Sequence, residues 1–171
     1  MKKNNVALVA IITVIVIITG VYFLYVRLSP IKVLAPTAET KVIQETYRNN
    51  ELGFEIVLPG SWKDYSIVKK SWDGTVIDSG ERKYSGLEIV IKNPKTTSQQ
   101  LWQDIPIMVF THDVWNLVSE EKVAVSAAPI GPAKIGDNAK YVFATPPRWY
   151  GFTDAIGYEE AVEIVKTFKT F

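Results

Sequence analysis

The chain has 171 residues, 47% of them hydrophobic, with 19 basic and 18 acidic side chains, one histidine and no cysteine. Lacking cysteine, it can form no disulfide, thiol nucleophile, thiolate metal site or lipobox attachment. Setting aside Lys2, Lys3, Arg27 and Lys32 leaves 15 basic against 18 acidic side chains beyond residue 34, a mildly acidic balance that disfavours nucleic acid.

Residues 1–5 are short and basic. Residues 6–26, VALVAIITVIVIITGVYFLYV, carry no charge. At 1.5 Å per residue they span about 31 Å as a helix, close to a hydrocarbon core of roughly 30 Å. Tyr22, Phe23 and Tyr25 gather at one end, as an interfacial aromatic belt does. The stretch exceeds the usual apolar region of a cleaved signal peptide, and Pro36 would follow the best cleavage position. The expectation is a single-pass anchor in the lipid bilayer, N-terminus cytoplasmic and C-terminal domain extracytoplasmic. Pro30 and Pro36 make residues 27–43 a non-helical linker.

Residues 44–171 are the part able to form a globule. Asn49-Asn50 is turn chemistry, and Gly53 permits a positive φ. Phe54, Ile56 and Leu58 alternate with Glu55 and Val57 on a strand that Pro59-Gly60 ends, with Trp62 as a core candidate. Further strands are expected at 65–70, 87–91, 105–110, 122–127 and 141–144. Asp73-Gly74 and Asp78-Ser79-Gly80 read as turns, and 96–103 as a helical turn. The unbroken apolar run Ile105 to Phe110 suits a central strand. Thr111 or Asp113 caps a helix over 112–119 that buries Val114, Trp115 and Val118. Residues 128–137 and 148–157 read as loops. A last helix over 158–167 places Tyr158, Ala161, Val162, Val165 and Phe168 on one face, with Glu159 and Glu160 at its positive end. The fold class is α+β: a mostly antiparallel sheet covered by helices.

The run Tyr47-Arg48-Asn49 through Gly53-Phe54 to Pro59-Gly60-Ser61-Trp62, with the terminal segment Tyr158 to Phe171, resembles small bacterial membrane-anchored domains similar to the PsbP-like α/β/α sandwich. The resemblance implies a fold and carries no functional residue, since that fold hosts unrelated roles.

Chemistry-bearing patterns are sparse. His112 lies between Thr111 and Asp113, an arrangement that a helix start explains as well as a general base does. Asp73, Asp78 and Glu81 are oxygen ligands without calcium-loop spacing. Gly131 and Gly136 have the spacing of P-loop glycines, but Asp137-Asn138 stands where Lys-Ser/Thr is required. No metal, cofactor or catalytic residue is therefore assigned. The best surface candidate is Arg148, Trp149, Tyr150 and Phe152, because Arg, Trp and Tyr are the side chains most enriched at binding hot spots. The competing reading buries Trp149 or Phe152 under the last helix. The favoured expectation is a non-enzymatic interaction domain with an envelope protein as partner. An envelope domain binding a glycan or small ligand is the alternative, and an enzyme using Asp104 or Asp113 the second.

Overall fold

The computed structural model describes residues 44–78, 83–125, 130–150 and 154–171. The expected span at 6–26, the linker 27–43, Glu81 and Phe152 lie outside them. Among the described residues no helix is long and apolar enough to cross a membrane.

The elements run β1 (Gln44–Asn49), β2 (Phe54–Pro59), a 3-10 turn (Gly60–Trp62), β3 (Ser66–Val76), β4 (Lys83–Lys92), β5 (Ile105–Thr111), α1 (His112–Ser119), β6 (Val123–Ala124), β7 (Ala133–Asp137), β8 (Tyr141–Thr145), α2 (Tyr158–Val165) and β9 (Lys169–Thr170). Two sheets form, ordered β1-β2-β9 and β6-β3-β4-β5-β8-β7. The strand pairings are antiparallel. The larger sheet curls into a half-barrel, so the protein is mostly antiparallel β with two short helices.

The β1–β2 hairpin forms for the reasons its residues give. Gly53 takes φ 74° and its N–H donates to Asn49 O at 2.9 Å, while the Leu52 N–H donates to Asn49 Oδ1. The alternation then puts Phe54, Ile56 and Leu58 fully inside. At about 1.5–3 kcal/mol for each such side chain, this one strand face is a major source of stability. It packs with Ile89, Ile91, Ile105, Ile107, Phe143, Ala161 and Ile164 into the main core. One face of the large sheet is thus covered by the small sheet together with α2. A second core on the other face joins Trp72, Met108, Phe110, Val118, Val123, Val142 and Ala144, with Val114, Trp115 and Leu117 of α1 packed against it. β5 supplies Ile105, Ile107 and Val109 to one core and Met108 and Phe110 to the other. A strand buried on both faces needs an unbroken apolar run.

Several expectations are corrected. Asp73-Gly74 is not a turn; it lies inside β3, where Asp73 pairs with Ser85. Gly74 is small because β6 comes close: a Cβ there would sit 2.9 Å from Val123 Cγ1. Residues 133–137 form β7 rather than loop, with a register shift between Lys134 and Gly136. Residues 96–103 hold no helical turn; Trp102 instead makes a parallel bridge with Ile156. α2 ends at Val165 and buries Ala161 and Ile164, leaving Tyr158 at the surface. The large sheet's cover on one side is largely another sheet, because β2 turns its apolar face onto it.

Candidate functional site

The residues 145–150 leave β8 through Pro146 and Pro147. A proline followed by a residue in left-handed conformation is tight-turn order. Arg148 takes that conformation, φ 51°. L side chains meet steric resistance there, so the position is an unusual one for arginine. The turn directs Arg148 and Tyr150 outward and Trp149 inward, where it packs against the main core. Gln103 fixes the Trp149 backbone by donating from Nε2 to Trp149 O at 3.0 Å. Trp149 and Tyr150 meet edge-to-face at 5.3 Å, and Tyr150 stacks on Tyr158 at 5.8 Å with the rings 7° from parallel.

Together with Ile130 and Gly131, the segment from Thr145 to Tyr150 lines an open groove of about 400 Å³. Ile130, Tyr150 and Tyr158 are each 40% exposed or more. Leu101 and Ile156 are also exposed, and the Ile156 N–H donates to Leu101 O at 3.1 Å. Three of the four expected surface residues are therefore brought together, with Trp149 shared between groove and core; Phe152 lies outside the described residues. Ile130 and Tyr158 belong to this surface and were not singled out from sequence. Tyr158 has the spacing of a buried helix position, and only the stack on Tyr150 shows its actual place.

The other candidates resolve as structure. His112 Nε2 donates to Asn138 O at 2.8 Å. Thr111 caps α1, its Oγ1 accepting from Val114 N at 3.4 Å. Asp104 accepts from the Asn93 N–H at 2.8 Å and pairs with Lys92. Asp104 and Asp113 stand beyond opposite ends of β5, whose seven residues separate them by roughly 23 Å. They do not converge. Gly136 lies within β7, not in a phosphate-cradling loop. Among the described residues no three His, Asp or Glu side chains are placed to hold a metal ion.

Among the described residues three carboxyls have displaced pKa values. The hydrogen bond and charge of Lys134 hold the exposed Asp137 below its ordinary value. Burial pushes Glu88 up, against the opposing effect of Lys70 across the β3–β4 ladder. Burial would also raise Glu160, but the Ser61 hydroxyl and Lys95 outweigh it and hold the group below its ordinary value. Ser61 Oγ donates to Glu160 Oε1 at 2.5 Å and Lys95 Nζ to Oε2 at 3.2 Å. The buried Trp62 Nε1 lies near this carboxylate and helps keep it charged, although no partner meets full hydrogen-bond geometry. A carboxylate held ionised by an ammonium is a poor general base for Ser61. The cluster is a clasp between the 3-10 turn, the start of α2 and the segment after β4.

No family model, curated protein or solved structure matches this chain.

Proposed function

We propose that the chain is a membrane-tethered extracytoplasmic interaction domain, without catalytic activity, that engages an envelope protein through Arg148, Trp149 and Tyr150. On this reading residues 6–26 anchor the chain and the sheets are a PsbP-like scaffold for the 145–150 turn. What carries the reading is the groove itself: an arginine and two aromatics line a groove of about 400 Å³ with Ile130, on a turn that leaves the buried strand β8. Arg148 supports it further, since a left-handed arginine carries a steric penalty of about 1–2 kcal/mol that glycine would not. A glycan or small-ligand role is the second reading, favoured by a groove volume within the usual 300–1,000 Å³ ligand range.

The test is in-cell crosslinking and affinity capture of the full chain beside Arg148→Gly and Tyr150→Ala. Trp149 is left in place because it also packs the core. Arg148→Gly is expected to be neutral or stabilising by up to about 1 kcal/mol. Either change is expected to weaken a specific partner by about 2 kcal/mol, roughly thirtyfold. A partner retained equally by both folded variants, or no reproducible partner, overturns the proposal. A glycan or small ligand that competes only with wild type moves the groove to the second reading.

A further inference from the structure

The large sheet splits. β4 pairs with β5 only from Ile91↔Ile105 to Glu88↔Met108. Past that point β4 continues to Lys83 against β3 alone, and β5 continues to Thr111 against β8 alone. Among the described residues, segments 83–87 and 109–111 therefore flank an opening with no ladder across it. Main-chain polar groups at such an opening need partners.

Trp72 supplies one. Its indole comes from β3 and lies across β4 at Gly86, where a Cβ would be 2.4 Å from the ring. Nε1 donates to Val109 O at 3.1 Å, and the ring rests on Phe110 with centroids 4.5 Å apart. Beside the ring lies a half-open cleft of about 270 Å³, walled chiefly by Leu52, Trp72, Leu87, Phe110, Val114 and Tyr141. Its lining includes side chains of both cores.

We propose that this slot between β4 and β5 is a binding site for a compact, neutral, largely aromatic small molecule. At about 30 Å³ per water the volume is that of roughly nine waters, which leaves room for a small fused ring such as indole. The walls are apolar and aromatic, which favours ring stacking and burial over charge. Polar groups gather at Glu51, Ser85 and Thr111. Glu51 is paired with Lys69 at 3.4 Å, so that margin presents no net charge to select an ion. An inserted peptide strand is disfavoured, because the Trp72–Val109 bond already spans the opening that its backbone would occupy.

The test titrates indole into the full chain in lipid nanodiscs and follows the indole Nε1 resonances of its five tryptophans, with Trp72→Phe used for assignment. The expected result is a saturable shift concentrated on Trp72, and at least tenfold weaker binding in Ser85→Trp, which places a ring at the slot from an exposed position. Equal, unsaturable shifts of every tryptophan would mean partitioning into lipid and overturn the proposal. So would an undiminished Trp72 shift in folded Ser85→Trp. Leu87→Ala enlarges the same cavity and decides the matter if Ser85→Trp does not fold: it is expected to shift preference from indole toward naphthalene at least fivefold. An unchanged preference overturns the proposal, as does displacement of indole by an extended peptide at equal concentration.

Discussion

At the scale of single residues, small side chains mark where something large must pass. Gly86 lacks a Cβ because the Trp72 indole occupies that space. Gly86→Ala forces the ring aside, loses its bond to Val109 O and disturbs its contact with Phe110. The expected cost is about 1–3 kcal/mol in urea unfolding, typical of overpacking. Gly131→Ala is the matched control. It has nothing within 4 Å of its added methyl and is expected to change stability by less than about 0.5 kcal/mol. Equal effects of the two would show that the Trp72 packing contributes nothing special. Arg148 shows the converse relation, a large side chain where the backbone favours none.

At the scale of elements, legibility followed the period of the pattern. β2 was readable because Phe54, Ile56 and Leu58 alternate and Pro59-Gly60 closes the strand; α1 was readable because Thr111 caps it. β5 was readable as an unbroken apolar run. β3 was misread at Asp73-Gly74, since the same dipeptide serves a turn or a strand that must admit a neighbour. β7 was missed because Gly131, Pro132 and Gly136 look like loop, and its pairing comes from β8 rather than from its own residues. At the candidate site, Arg148-Trp149-Tyr150 was legible as composition. Ile130 and Tyr158 were not, because they reach the groove by tertiary placement alone.

The Ser61–Glu160–Lys95 clasp is likewise a tertiary product, and it makes a pH prediction. Glu160 titrates below its ordinary value when folded. The unfolded chain therefore binds more protons in that range, and the stabilisation is present above the ordinary carboxylate pKa. It is lost as pH falls through the depressed folded value. Glu160→Gln is expected to cost up to about 1 kcal/mol near neutrality, with a wild-type advantage that disappears in acid. Unfolding midpoints measured across the acid range check this; a difference independent of pH would assign the loss to packing.

At the scale of the whole described unit, the two sheets are tied by the C-terminal segment. Phe168 follows α2 and stacks on Phe54 of the small sheet at 5.1 Å and contacts Phe143 of the large sheet at 5.3 Å. It also fills the space against Gly136, where a Cβ would approach its ring to 3.0 Å. The Val57 N–H donates to Thr167 Oγ1 at 2.9 Å, and the Phe171 N–H donates to Gly53 O. β9 then adds only Lys169 and Thr170 to the ladder beside β2. The attachment of the small sheet therefore rests more on one aromatic than on strand hydrogen bonds. Phe168→Ala is expected to cost about 3–5 kcal/mol, a large share of the roughly 5–15 kcal/mol that holds a domain together. Because Phe54 and Phe143 share the same core, the loss should lower the urea midpoint of one common transition seen by both circular dichroism and tryptophan fluorescence. Thr170→Ala, which removes the Thr170 Oγ1 to Asp137 O bond and a methyl beside Gly136, is expected to cost about 1 kcal/mol. If Phe168→Ala instead splits unfolding into two transitions, the small sheet is a separable layer. If it costs no more than Thr170→Ala, the cohesion lies in the β1–β2 hairpin itself.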